Sequence, residues 1–233
     1  MVAPCGFSPT FLLRNWNHHE KKNLPIAIGL IVIAAFIGVA IFQTEQPSQD
    51  NDNTIDTLTM PERKNAPSKG PNDAKVTIVE FFDPACETCA IFHPFVNSLI
   101  EQHPGKVRVV MRYAPFHRGS TEVVKFLEAA QLQGQFWPAL EILFANQQRW
   151  TRHHVADPQS AVALLNSLTL DSEQFIRDVN SDHTSDTITQ DVTDGKLLKV
   201  AATPQFFVNG KPLTDFGYKQ LARLVEEAVS EAY

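Results

Sequence analysis

Val79-Glu80-Phe81-Phe82-Asp83-Pro84-Ala85-Cys86-Glu87-Thr88-Cys89 joins an apolar run directly to two cysteines three positions apart. The run, Lys75 to Phe82 (KVTIVEFF), is β-branched and aromatic, which is the composition of a buried strand. Beyond it, Cys86 to His103 carries Ile91, Phe92, Phe95, Leu99 and Ile100 on one stripe and reads as a helix that His103-Pro104-Gly105 ends. Lys106 to Tyr113 (KVRVVMRY) is a second strand. A strand–helix–strand order implies a right-handed crossover and parallel pairing.

The spacing of the cysteines suits redox chemistry. If Cys86 opens a helix, Cys89 lies one turn on, with the α-carbons about 5 Å apart, within disulfide range. Cys86 then sits where unpaired N–H groups and the helix dipole stabilise a thiolate. Cys89, deeper, is suited to resolving a mixed disulfide. A structural staple across so small a loop removes little entropy from the unfolded chain. Zinc generally needs four ligands, and there is no second CxxC, so His93 and His117 would have to complete a site through the tertiary fold.

After the second strand the pattern turns helical. Thr121 to Gln133, Phe136 to Gln147, Pro158 to Leu168, a segment opened by Asp171-Ser172-Glu173, and Ser185 to Val200 read as helices. Phe136-Trp137 and the apolar residues to Phe144 are expected in the core of this insertion, and His153-His154 at a solvated helix end. Strand character returns at Gln205 to Val208; Asn209-Gly210 signals a hairpin, and Lys211-Pro212-Leu213 is a short return strand. Phe216 to Ala232 closes the chain as a helix. The expected fold class is therefore α/β, a β-α-β unit and a β-β-α unit with a helical insertion of about residues 118–200.

The chain has 233 residues, 43% apolar and 20% charged, with a net charge of −6 and three cysteines. That balance, without a long basic block, argues against nucleic-acid binding. Leu24 to Phe42 is uncharged and apolar, long enough for a membrane span. Arg14, Lys21 and Lys22 precede it and no nearby base follows it, so residues 1–23 are expected in the cytoplasm and the remainder outside. Small residues at Gly38-Val39-Ala40 also allow a leader cleaved after Ala40. Residues 43–73, rich in Gln, Asn, Asp, Ser, Pro and Thr, read as a flexible linker, and 74–233 as the folded domain. Cys5 is then an inert cytoplasmic thiol.

VEFFDPACETC, RYAPFH after the second strand, the helical insertion and ATPQFFVNG together resemble the thioredoxin fold, and more narrowly the DsbA-like extracytoplasmic thiol–disulfide oxidoreductases, over about residues 66–233. The resemblance implies a membrane-anchored enzyme of the inner membrane facing the periplasm or exterior. It would exchange disulfides with protein thiols through Cys86 and Cys89, need no organic cofactor or metal, and rely on a membrane redox partner to recharge the pair. It further implies that Thr203-Pro204 is a cis bond lying against the cysteines and contacting substrate, and that Pro94, five residues after Cys89, kinks the active-site helix. Glu80, six residues before Cys86, matches the family's buried acid. It is either a proton relay to Cys89 or a strand glutamate, partly exposed or paired with Lys106 or Arg112. His93, on the active-site helix, is a candidate for tuning the pair.

The inner dipeptide departs from the family. Strongly oxidising members carry Pro-His between the cysteines, where this chain has Glu87-Thr88. A carboxylate beside Cys86 disfavours the thiolate, so the couple is expected to be less oxidising. Direction, oxidase against reductase or isomerase, stays open. Two alternatives are a reductase of cytochrome c maturation, which also carries glutamate after the first cysteine, and a zinc- or copper-handling protein using Cys86, Cys89 and a histidine.

Overall fold

The computed structural model describes residues 63–233. The expected cytoplasmic tail, membrane span, residues 43–62 of the linker and Cys5 lie outside the described residues. No helix among the described residues is long and apolar enough to cross a membrane.

In chain order the elements are β1 (Ser68–Lys69), β2 (Val76–Phe82), α1 (Glu87–Gln102) and β3 (Val107–Tyr113). The insertion holds α2 (Ser120–Leu132), α3 (Phe136–Ala145), α4 (Gln147–Trp150), β4 (Thr151–Arg152), β5 (Val155–Ala156), α5 (Pro158–Leu165), α6 (Ser172–Val179) and α7 (Asp182–Leu197). β6 (Gln205–Val208), β7 (Lys211–Pro212) and α8 (Tyr218–Ala232) complete the chain. The main sheet runs β1-β3-β2-β6-β7. β2 pairs parallel with β3, Val76 against Val107, and antiparallel with β6, Glu80 against Phe206. This is the thioredoxin fold with a helical insertion that the motifs imply.

The alternation of β2 sorts its side chains between two layers. Val76, Ile78 and Phe82 join the larger apolar cluster with Phe92, Val96 and Leu99 of α1 and Leu221 and Val225 of α8. Val79 and Phe81 face the other way, against Leu198, Val200 and Phe207. On that second side α7 passes close enough that a Cβ on Gly195 would touch the Phe81 ring at 3.4 Å. Buried charge fastens α7 to β3: Arg112 donates to Asp191 and Asp194, and the Tyr113 amide donates to Asp191 at 2.8 Å.

Two features differ from expectation. The domain begins before Ala74, because β1 pairs antiparallel with β3 and Arg63, 8% exposed, brings Nε to 2.8 Å from Asp191. A two-residue strand in a polar stretch carries no periodicity to read. His153-His154, expected at a helix end, is instead the turn of the β4–β5 hairpin, with φ of 49° and 61°. Two consecutive left-handed residues make the turn type that suits a two-residue hairpin, here without the usual Asn-Gly.

The hairpin is stitched to the loop before α2, where the Ala156 amide donates to the Arg118 carbonyl at 2.9 Å. Gly119, with φ of +81°, makes this approach possible, since a Cβ there would lie 2.6 Å from the Ala156 carbonyl oxygen. Gly119→Ala is expected to cost about 2 kcal/mol, from left-handed strain and the displaced contact. A fall in the urea midpoint at unchanged m would show it.

Candidate active site

The end of β2 and the start of α1 are joined by four residues, and Asp83 shapes the junction. Its carboxylate is fully buried and accepts from the Ala85 amide at 2.8 Å, the His117 amide at 2.8 Å, His117 Nδ1 at 2.7 Å and the Ser120 hydroxyl. Its backbone oxygen accepts from the Cys86 amide at 3.0 Å. One residue thus ties together the end of the central strand, the loop before α2 and the turn carrying Cys86. The His117 ring, fixed by Asp83, stacks on His154 of the hairpin at 5.3 Å.

Cys86 is the N-cap of α1, with extended backbone, and Cys89 lies in the first turn. Both are free thiols, Cys86 6% exposed and Cys89 fully buried. Their acidities diverge. The hydrogen bond from Cys89 is the main cause that draws the Cys86 thiol down to about 5, helped by the Thr203 side chain and the backbone amides of Cys89 and Thr88 against the opposing cost of burial. Cys89 is pushed well above the usual thiol range by burial first, then by its bond to Cys86 and the nearby Glu80 charge. One sulfur is ready to attack or to leave, and the other keeps its proton.

The Thr203-Pro204 bond is cis, and the Thr203 carbonyl accepts from Cys86 Sγ at 3.2 Å. Pro204 is buried and leads directly into β6, so the bond lies against the cysteine pair. Glu80, 1% exposed, sits in the middle of the sheet between Met111 and Phe206, on the face that α1 covers. Neither of its carboxylate oxygens has a hydrogen-bond partner among the described residues, so the expected alternative of exposure, or of pairing with Lys106 or Arg112, does not hold. Burial first, and then the Cys86 charge, raise its pKa to about 8.

The tuning residues fare unevenly. Glu87 is exposed and is not among the groups that shift Cys86, so water screens the repulsion expected of it. Thr88 contributes through its backbone amide. Pro94 lies inside α1, on its exposed side. His93 is 7% exposed and bonds Asn97 at 3.2 Å while packing on Trp137 and Phe144. It shifts neither thiol, which makes it a packing residue. Among the described residues, no group of three His, Cys, Asp or Glu side chains is placed to hold a metal ion.

Sequence reasoning passed over Asp83 and Gln147. An Asp-Pro pair after a strand is a turn signal, and a buried Asx turn is its consequence here. Gln147 has no local signal. It arrives from the insertion to donate to the Pro84 and Cys86 carbonyls.

Known proteins bear on this geometry. A Na+/H+ antiporter NhaA of Herminiimonas arsenicoxydans is 32% identical over 145 residues, covering 62% of this chain and 22% of the antiporter. The chain thus spans about a fifth of the length of the curated relatives first matched. A probable disulfide bond formation protein D of Bacillus cereus is 24% identical over 200 residues, covering 82% of this chain and 90% of that protein. The crystal structure of a thioredoxin-like oxidoreductase from Silicibacter pomeroyi superposes with a TM-score of 0.62 at 27% identity, covering 73% of this chain and 93% of that one. Residues 62–227 match the thioredoxin family, which takes in the cysteine pair, the insertion and the cis-proline strand. The chain belongs to the thioredoxin family, as VEFFDPACETC and ATPQFFVNG implied.

Proposed function

We propose that the chain is a protein thiol–disulfide oxidoreductase working through Cys86 and Cys89. The observation that carries this reading is the split between the two thiols, Cys86 at about 5 and Cys89 well above 9.0. In the oxidising direction a substrate thiolate attacks Cys86 Sγ of the disulfide, forming a mixed disulfide and releasing Cys89 as a thiolate that takes up a proton. A second substrate thiolate then attacks the substrate's own sulfur and expels Cys86, a good leaving group because its thiolate is stable. Substrate is oxidised by two electrons and the pair is reduced by two. Reduction runs the same steps in reverse from the dithiol, and isomerisation starts with the same Cys86 attack but lets another substrate thiolate expel Cys86, with no net change of oxidation state.

Glu80 supplies or accepts the Cys89 proton. With a pKa of about 8 beside the Cys86 thiolate, it is mostly protonated at neutral pH. Once Cys86 enters a mixed disulfide its charge is gone, one of the two causes of the shift disappears, and Glu80 ionises more readily. That is the moment at which Cys89 must lose its proton to resolve the adduct.

Protein substrates fit the surroundings. Phe92, three residues beyond Cys89, stacks on half-exposed Tyr218 at 4.2 Å and lies 4.7 Å from half-exposed Phe216, giving an aromatic surface beside the pair. Thr203 and Pro204 would align a bound substrate segment. The N-terminal sequence supports anchorage by residues 24–42 with the domain outside the cytoplasm, where a membrane partner would recharge the pair.

The couple is proposed to be less oxidising than that of Pro-His members. A thiol at about 5 falls between the ~3.5 of DsbA and the ~7 of thioredoxin, which argues for a potential between ~−120 and ~−270 mV. Equilibration of the full-length chain with glutathione measures it. A value near ~−120 mV would mark a strong oxidase and overturn this part of the reading; one near ~−200 mV would support it.

A further inference from the structure

Gln147 is 7% exposed, and its carboxamide nitrogen donates at 2.9 Å to the Pro84 carbonyl and at 3.0 Å to the Cys86 carbonyl. A buried primary amide must be hydrogen-bonded, and here both N–H groups leave the insertion for the turn that delivers the reactive cysteine. The residue itself is held firmly. Its backbone carbonyl accepts from the Thr151 hydroxyl at 2.8 Å, and Trp150, 1% exposed, locks the same short helix by donating to the Leu143 carbonyl at 2.9 Å.

The two carbonyls matter because of what else their peptides do. The Cys86 carbonyl also accepts from the Ala90 amide at 3.3 Å, so its direction sets the first turn of α1. That turn carries the Thr88 and Cys89 amides that favour the Cys86 thiolate. An N–H drawing on each carbonyl oxygen also reduces negative potential beside the sulfur. We propose that Gln147 is a positioning residue of the redox site: its carboxamide clamps the Pro84 and Cys86 carbonyls and thereby holds the Thr88 and Cys89 amides on the Cys86 sulfur. The helical insertion then sets the reactivity of the cysteines as well as flanking them. This rests on the reading of Cys86 as the reactive thiol.

The test is the pH dependence of iodoacetamide alkylation, resolved by peptide so that Cys5 does not contribute, on the full-length reduced chain. Three variants are compared with wild type: Gln147→Met, which keeps the length but removes both donors; Gln147→Glu, which keeps the shape; and Phe175→Leu, which loosens the insertion away from the turn. Thermal unfolding establishes which are folded, and Gln147→Glu carries the test if Gln147→Met is not. The wild-type Cys86 midpoint is expected near 5. Both Gln147 variants are expected to raise it by about one unit, a roughly fivefold loss of thiolate at pH 5, with Phe175→Leu within a few tenths of wild type. An unchanged midpoint in a folded Gln147 variant overturns the proposal, as does an equal shift in Phe175→Leu, which would make the effect general loosening. A wild-type midpoint near the ordinary thiol value would instead remove the reading of Cys86 itself, and the positioning role with it.

Discussion

Cys89→Ser is expected to turn the chain into a trap: turnover falls to the uncatalysed rate, and disulfide-linked adducts of substrate on Cys86 accumulate. Cys86, at about 5, is fully thiolate at neutral pH and forms the mixed disulfide, but without Cys89 nothing behind it can resolve the bond. The reciprocal variant behaves differently. In Cys86→Ser the remaining thiol is fully buried, and that burial, the largest cause of its raised pKa, survives the loss of Cys86, so no more than about 1% of it is thiolate at pH 7. No adduct is expected there, and exchange should fall at least about 100-fold through lost thiolate alone. Non-reducing electrophoresis of both variants in a Cys5→Ser background, with a disulfide-containing peptide substrate whose released thiol is the leaving group, reads the outcome. Adducts on Cys86→Ser but not on Cys89→Ser would exchange the roles of the two sulfurs. Adducts on neither would remove disulfide exchange as the activity and return the metal-handling alternative to consideration.

The parts of this site that sequence reveals are those whose signal is local. Apolar alternation marks β2, the helical stripe marks α1, and the CxxC spacing places both sulfurs in one turn. Thr203-Pro204 was reachable only through the resemblance, because nothing in a Thr-Pro pair says which distant loop it will face. Gln147 lies 61 residues from Cys86 along the chain, and its role exists only once the insertion has folded back onto the turn. Asp83 is visible as a turn residue, whereas its bonds to His117 and Ser120 depend on the loop after β3. Glu87 shows the opposite hazard. Adjacency in sequence suggested a repulsion that disfavours the thiolate, but the side chain points into water while the sulfur is governed by Cys89, Thr203 and two amides. For electrostatics, direction and burial outweigh chain distance.

Glu80→Leu is expected to make the reduced protein more stable and the enzyme slower. The carboxyl has no hydrogen-bond partner among the described residues, and its pKa rises from 4.5 to about 8, chiefly through burial. The folded state therefore binds this proton more tightly than the unfolded chain does. The stability that protonated Glu80 allows is fully present below pH 4.5, declines across pH 4.5 to 8 and is lost above 8. Leucine has no proton to lose, so the variant's advantage should grow through that window and level off above it, reaching at most about 5 kcal/mol for a shift of this size. Urea denaturation of wild type and variant under reductant, at pH 5, 7 and 9, follows the growth directly. The kinetic effect runs the other way. Resolution of the mixed disulfide by Cys89 loses its proton acceptor, and turnover should fall about 100-fold, as it should in Glu80→Gln, which keeps the shape but cannot carry a proton. An advantage over wild type no larger at pH 9 than at pH 5 would mean that the carboxylate is solvated in the folded protein. Unchanged turnover in both variants would leave Glu80 a buried acid with no part in proton transfer. The two effects together would show why a destabilising carboxyl belongs in the centre of this sheet: the burial that costs stability is also what brings its pKa to the range in which it can exchange a proton with Cys89.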